Sequence, residues 1–156
     1  MLRVVVVRCK VHFFEIGLYE NQDADQAEMN LRGKFTTDNE GRFWFRSVLP
    51  AGYPIPTTGV VGRLLEAQNR HPFRPAHVHA LIHKPGFKTL ISQVYVDGTE
   101  YLESDVQFGV TRALIGGFTR HDEPCADESI STPWYSIDYK FVMESGETKL
   151  PLPPIK

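Results

Sequence analysis

Cysteine is scarce in this chain, with only Cys9 and Cys125 among 156 residues. Two cysteines cannot staple a small secreted domain, and there is no CxxC pair to hold a metal through thiolates. Both are expected to be free thiols. Long apolar runs are lacking as well. The valine run Val4–Val7 is shorter than the about 7–15 apolar residues at the centre of a signal peptide. Nothing approaches the roughly 20 apolar residues of a membrane span. A cytoplasmic location follows by elimination. Positive charge is not in excess either: 17 Lys and Arg against 19 Asp and Glu give a formal net charge of −2. Without a basic stripe, neither nucleic acid nor an anionic membrane is an expected partner.

What the chain does contain is punctuation. Eleven prolines and twelve glycines cut it into short pieces, which favours strands and loops over a helix bundle. Its length suits one domain, and a hydrophobic content of 42% suffices for a core. Val4–Val7 reads as a buried strand, and Val11–Phe14 continues it or pairs with it. Phe35–Thr37, Asp38–Gly41 and Arg42–Arg46 read as strand, turn and strand, with Gly41 free to take a positive φ. Pro54 and Pro56 have no backbone N–H, so Tyr53–Pro56 is a stiff loop and not a central strand. Val61–Ala67 suits a short helical turn. His77–His83 and Leu90–Val96 read as strands, with a turn at Pro85-Gly86. A short helix is expected within Ser104–Phe118. Tyr135, Ile137, Tyr139, Phe141 and Met143 alternate as a late strand does, and an extended tail begins at Gly146. The expected fold is all-β, a mostly antiparallel β-sandwich with long irregular loops and one short helix.

One stretch stands out chemically, Arg74-Pro75-Ala76-His77-Val78-His79. Side chains at i and i+2 of a strand project from one face, with Cα atoms roughly 6–7 Å apart. His77 and His79 can therefore reach one metal ion, while Val78, Ala80 and Ile82 face the other way. An H-x-H pair alone is only moderately specific. Here it follows an arginine held between Phe73 and Pro75, and a rigid loop presenting Tyr53.

These residues belong to a longer ordered series. It runs through Gly17-Leu18-Tyr19-Glu20-Asn21-Gln22, Asn30-Leu31-Arg32-Gly33, Thr37-Asp38 with Gly41-Arg42-Phe43, and Leu49-Pro50 with Tyr53-Pro54-Ile55-Pro56. It continues through Gly62-Arg63-Leu64-Leu65, Arg70-His71-Pro72, the arginine–histidine stretch, Pro85-Gly86, Leu90-Ile91-Ser92-Gln93 and Ser104-Asp105-Val106-Gln107-Phe108-Gly109-Val110. The series resembles the intradiol ring-cleavage dioxygenases, over roughly residues 17–145. These are non-haem ferric enzymes that split catechols between the two hydroxyl-bearing carbons.

The resemblance implies ferric iron, Fe(3+), held by Tyr19, Tyr53, His77 and His79. Phenolate is a hard anionic oxygen donor that suits a trivalent ion, and coordination to such a cation favours loss of the phenolic proton. The family's mechanism, carried over, is substrate activation: a catechol gives up both hydroxyl protons and chelates the iron, Tyr53 leaves the metal and takes up a proton, and Arg74 stabilises negative charge on the ring. Gln93 maps to a residue that orients the substrate. The product is a dicarboxylate, of the muconate or maleylacetate type. The Tyr53–Pro56 and Gly62–Leu65 stretches look closest to the catechol and hydroxyquinol branches.

The sequence departs from the family at its start. Relatives acting on catechols usually carry an N-terminal helical segment that dimerises and walls part of the pocket. Residues 1–16 read instead as a divergent strand segment, ahead of a catalytic domain at 17–156. This predicts a chain without the helical segment, with iron binding retained, turnover and dimerisation in question, and an apolar patch exposed. Three alternatives stand beside the leading reading: an inactive truncated dioxygenase, a non-catalytic transthyretin-like or carbohydrate-binding β-sandwich, and a zinc hydrolase using the histidine pair. His83 shares the face of His77 and His79 but lies too far along the strand for the same ion. His71 is expected to cap or pack locally, His12 and His121 belong to no motif, and Trp44 and Trp134 read as core or interface aromatics.

Overall fold

The computed structural model describes residues 3–8, 13–16, 31, 33–127, 130 and 132–149. Among these, the prolines and glycines leave room for short strands and one α-helix. In chain order they are β1 (Arg3–Arg8), β2 (Phe13–Ile16), β3 (Gly33–Phe35), β4 (Arg42–Ser47), β5 (Tyr53–Pro54) and α1 (Val60–Ala67). There follow β6 (Phe73–Arg74), β7 (His77–His83), β8 (Leu90–Val96), β9 (Ile115–Gly116), β10 (Thr119–His121), β11 (Trp134–Ser136) and β12 (Asp138–Lys140).

The strands form a β-sandwich. One sheet has the order β12-β1-β4 and the other β3-β2-β7-β8-β9, with β10-β11 and β5-β6 as two small ladders. Pairing is antiparallel except for β1 with β12 and β8 with β9. The core lies where inward residues of the two main sheets meet. It joins Phe43 and Phe45 of β4, Ala80 and Ile82 of β7, Val94 of β8, and Ile137 and Phe141. Ile82 is fully buried. The alternation that buries Ala80 and Ile82 points His77, His79 and Leu81 the other way.

Several expectations from the sequence are refined. The turn at Asp38–Gly41 is present, with Gly41 at φ 75° and its N–H donating to the Asp38 carbonyl over 2.9 Å. The flanking strands do not pair with each other: β3 pairs with β2 and β4 with β1. The turn carries the chain from one sheet to the other, which spacing along the sequence cannot reveal. The late strand is two strands, because β11 pairs with β10 and β12 with β1, and Ile137 dips into the core where the partner changes. Within Ser104–Phe118 the only helical piece is a single 3₁₀ turn at Arg112–Leu114. Trp44 belongs to no core, since it is 61% exposed. His71 packs locally, its Nδ1 accepting from Phe73 N over 3.1 Å. His121 stacks on Trp134 at 3.9 Å, and Cys125 is a free thiol. His12 and Cys9 lie outside the described residues.

Helix α1 buries Leu65 but leaves Val60, Val61 and Leu64 more than half exposed. No helix of the described residues is long and apolar enough to cross a membrane.

Candidate metal centre

The site forms where the small β5-β6 ladder meets the end of β7. Pro54 cannot donate to a ladder, so this pairing is two residues long, and it sets Tyr53 opposite Arg74. The β7–β8 register sets His77 opposite Tyr95 and His79 opposite Gln93. Two short-range registers thus bring Tyr53, Arg74, His77, His79 and Gln93 together. Tyr19 lies outside the described residues.

The two imidazoles face each other at one end of the strand. His77 Nδ1 lies 2.6 Å from the Pro75 carbonyl, which can only accept, so the proton sits on Nδ1 and Nε2 keeps its lone pair. That Nε2 stands 3.2 Å from His79 Nε2. Two imidazole nitrogens at about 2.1 Å from one ion, near a right angle to each other, are separated by about 3 Å. The 3.2 Å spacing is that of an N–H···N hydrogen bond in the metal-free chain and is also compatible with two imidazoles sharing one ion. Both rings are held neutral. Burial lowers the pKa of His77 to about 4, with the Arg74 charge adding to the effect, and burial followed by Arg74 also lowers that of His79. The Tyr53 ring lies 5.5 Å from the His77 ring, and its phenol is among the groups that help keep the Arg74 guanidinium charged. With His79 Nδ1 facing the Gln93 amide, the metal-free His79 carries its proton on Nε2 and would turn to the other tautomer to bind an ion, whereas the His77 Nε2 lone pair is already exposed. Two imidazoles and a phenol oxygen are a donor set that suits iron.

Arg74 is 2% exposed, and its donors are all but consumed. Nη1 lies 3.2 Å from His77 Nε2. Nη2 donates to Gln93 Oε1 and to the Tyr95 hydroxyl, each over 2.9 Å. Nε donates to Asp105 Oδ1 over 3.2 Å. Gln93 reaches both ways, since its Nε2 also lies 3.3 Å from His79 Nδ1, and Tyr95 donates to its Oε1. Burial raises the pKa of Tyr95, so it stays a phenol donor.

Sequence reasoning gave Asp105 and Tyr95 no role. Asp105 lay within a matching stretch without a partner to explain it. Tyr95 shares the β8 face of Gln93, and strand alternation was the available signal. His83 sits at the far end of β7. Its Nδ1 and the Thr89 Oγ1 are buried without a hydrogen-bond partner among the described residues. Among the described residues no group of three or more His, Cys, Asp or Glu is placed to hold a metal ion.

A protein-family model described as "Dioxygenase" matches residues 11–144, and the chain belongs to this family, in its intradiol ring-cleavage group. Hydroxyquinol 1,2-dioxygenase of Rhizobium sp. (strain MTP-10005) is 42% identical over 131 residues, covering 81% of this chain and 44% of the relative. Catechol 1,2-dioxygenase of Candida albicans is 40% identical over 124 residues, covering 79% of this chain and 41% of the relative. Among solved structures, hydroxyquinol 1,2-dioxygenase from Pseudomonas putida DLL-E4 superposes with a TM-score of 0.82 at 34% identity, over 93% of this chain and 57% of that one. The chain thus spans less than half the length of the curated relatives it matches.

Proposed function

We propose that this chain is the ring-cleaving domain of a ferric dioxygenase that opens catechol or hydroxyquinol between the two hydroxyl-bearing carbons. Both atoms of O2 enter the product, a muconate-type or maleylacetate-type dicarboxylate. The observation that carries this reading is the pair of neutral imidazoles with facing Nε2 atoms 3.2 Å apart, beside a buried arginine and the Tyr53 phenol. Family membership supports it, as do relatives named for hydroxyquinol and catechol. The metal is Fe(3+), with His77, His79, Tyr53 and Tyr19 as its ligands. We place the protein in the cytoplasm.

Bound ferric iron supplies Lewis acidity and an electron-accepting centre that makes a chelated catecholate reactive toward O2. The chain's own groups do the rest. The Tyr53 phenolate oxygen is the base that takes a substrate hydroxyl proton. Arg74 carries a permanent positive charge into a buried site, where it stabilises negative charge that develops on the ring oxygen. Preorganised donors of this kind are the usual largest electrostatic contribution in such sites. Gln93, next to Arg74 and His79, orients the substrate.

The test is an absorption spectrum after reconstitution with ferric salt. Tyrosinate-to-iron charge transfer should colour the protein red, and a catechol added without oxygen should shift the band. A colourless, iron-free protein would overturn the reading, as would stoichiometric zinc.

A further inference from the structure

We propose that Asp105 is the positioning residue for Arg74: a buried carboxylate that clamps one edge of the guanidinium and aims its free end at the paired imidazoles. This rests on the role given to Arg74 above. Asp105 is 3% exposed, yet it is an ionised group in a place where charge is costly unless paired. Its Oδ1 accepts from Arg74 Nε over 3.2 Å and its Oδ2 from Nη2 over 3.3 Å. Both oxygens therefore meet one edge of the guanidinium fork, which fixes the plane as well as the position. The opposite end, Nη1, is left at 3.2 Å from His77 Nε2.

The loop that holds the carboxylate is folded around it. Gly109 N donates to Oδ2 over 2.8 Å and Gln107 N to Oδ1 over 3.3 Å. Phe108 N donates to the Asp105 carbonyl over 2.9 Å, and Phe108 takes φ 54°, a conformation uncommon outside glycine. A side chain at Gly109 would close the clamp from behind. A Cβ there would lie 2.7 Å from the Tyr95 hydroxyl, 3.2 Å from Asp105 Oδ2 and 3.3 Å from Arg74 Nη2. The charge arithmetic gives the clamp its purpose. A guanidinium beside two imidazoles that hold a trivalent ion is repelled from the place where it is needed. A fixed negative charge on its far edge offsets that repulsion without competing for the metal.

The experiment compares Asp105→Asn and Gly109→Ala with the parent chain, using three readouts. The first is the 15N-labelled Arg74 Nε–H resonance and its exchange with water, recorded on metal-free protein. The second is the tyrosinate band and its titration with catechol under nitrogen. The third is the single-turnover decay of the catechol complex after oxygen is admitted. The parent should show a slowly exchanging Nε–H, and both variants should lose that protection. Iron content and catechol affinity should stay within about twofold. The oxygen-dependent step should slow about 10–100-fold, the usual scale for groups that orient a reacting residue. Combined with Arg74→Ala, Asp105→Asn should slow the reaction no further, because both changes remove one unit.

A folded Asp105→Asn protein with full Nε–H protection, with parental single-turnover rate, or with loss of iron would overturn the proposal, as would additive losses in the double variant. If Asp105→Asn does not fold, Gly109→Ala decides, and parental behaviour there overturns the clamp. A parent chain without the red band or ring cleavage would refute the proposed function instead, while the exchange measurement on metal-free protein still decides the clamp.

Discussion

Arg74 and the histidines separate two jobs that share one face. Arg74 offers only donors and cannot be a ligand. Arg74→Ala should keep the iron, the red band and the catechol-induced shift. It should slow the oxygen-dependent step about 10²–10³-fold, the scale for losing one preorganised donor. An Arg74→Ala protein that cleaves catechol at the parental rate would take the arginine out of the mechanism. His79→Ala should lose iron or weaken it strongly, while His83→Ala, at the far end of β7, should leave iron content unchanged. Metal analysis of the two proteins side by side checks this, and equal losses would mean that the His77–His79 geometry does not define the site. Asp105 also has a pH signature. Burial works against its ionisation, but the Arg74 hydrogen bond and charge and the loop N–H donors win and lower its pKa. A carboxyl with a lowered folded-state pKa stabilises the fold above its unfolded value of about 4, and that contribution is lost as pH falls through the folded value. Denaturant melts of metal-free protein from pH 7 to pH 3 should therefore show a steeper acid loss for the parent than for Asp105→Asn.

At the scale of elements, β7 serves two faces at once. Its inward residues Ala80 and Ile82 join the core, and its outward residues His77 and His79 build the site. Fixing one face fixes the other, because a slip of one residue would exchange them. Ile82 is fully buried, and Ile82→Ala should cost about 2–5 kcal/mol by lost transfer energy and the cavity left behind. The prediction is a lower denaturant midpoint with an unchanged slope, and iron affinity that falls only as folding does. Iron loss from a fully folded Ile82→Ala protein would mean that the strand tolerates a shift that the site does not. The β5-β6 ladder has the opposite design. It is two residues long, because proline ends it, and so it places one tyrosine beside one arginine and little else.

For the whole molecule, the proposed ligand set, with Tyr53 on β5, His77 and His79 on β7, and Tyr19, would tie metal binding to folding. An ion bound by the folded chain and not by the unfolded one stabilises by mass action, about 2.7 kcal/mol at a hundredfold excess over its Kd. Adding ferric iron should raise the melting temperature of the parent and leave His79→Ala unmoved. A parental melting curve that ignores iron would argue that the ligands are not assembled on one ion. The exposed Val60, Val61 and Leu64 of α1 lie outside this arrangement.

Much of this was legible in the sequence for local reasons. The period-2 pattern at His77–His83 is a local property, and it specified both the strand and the face that carries the imidazoles. Pro54 and Pro56 likewise marked the stiff loop at Tyr53, since a missing N–H is written in the residue itself. The ordered motifs marked the family and its candidate ligands. Tertiary structure decided what no spacing along the chain encodes. It sent β3 and β4 to different sheets, and it split the late strand at Ile137. It also brought Asp105 and Tyr95, distant in sequence, onto the guanidinium of Arg74. A buried charge must find its counter-charge wherever the fold brings one within reach, and that partner is chosen by sheet register and loop closure across 31 residues, not by neighbours in the chain.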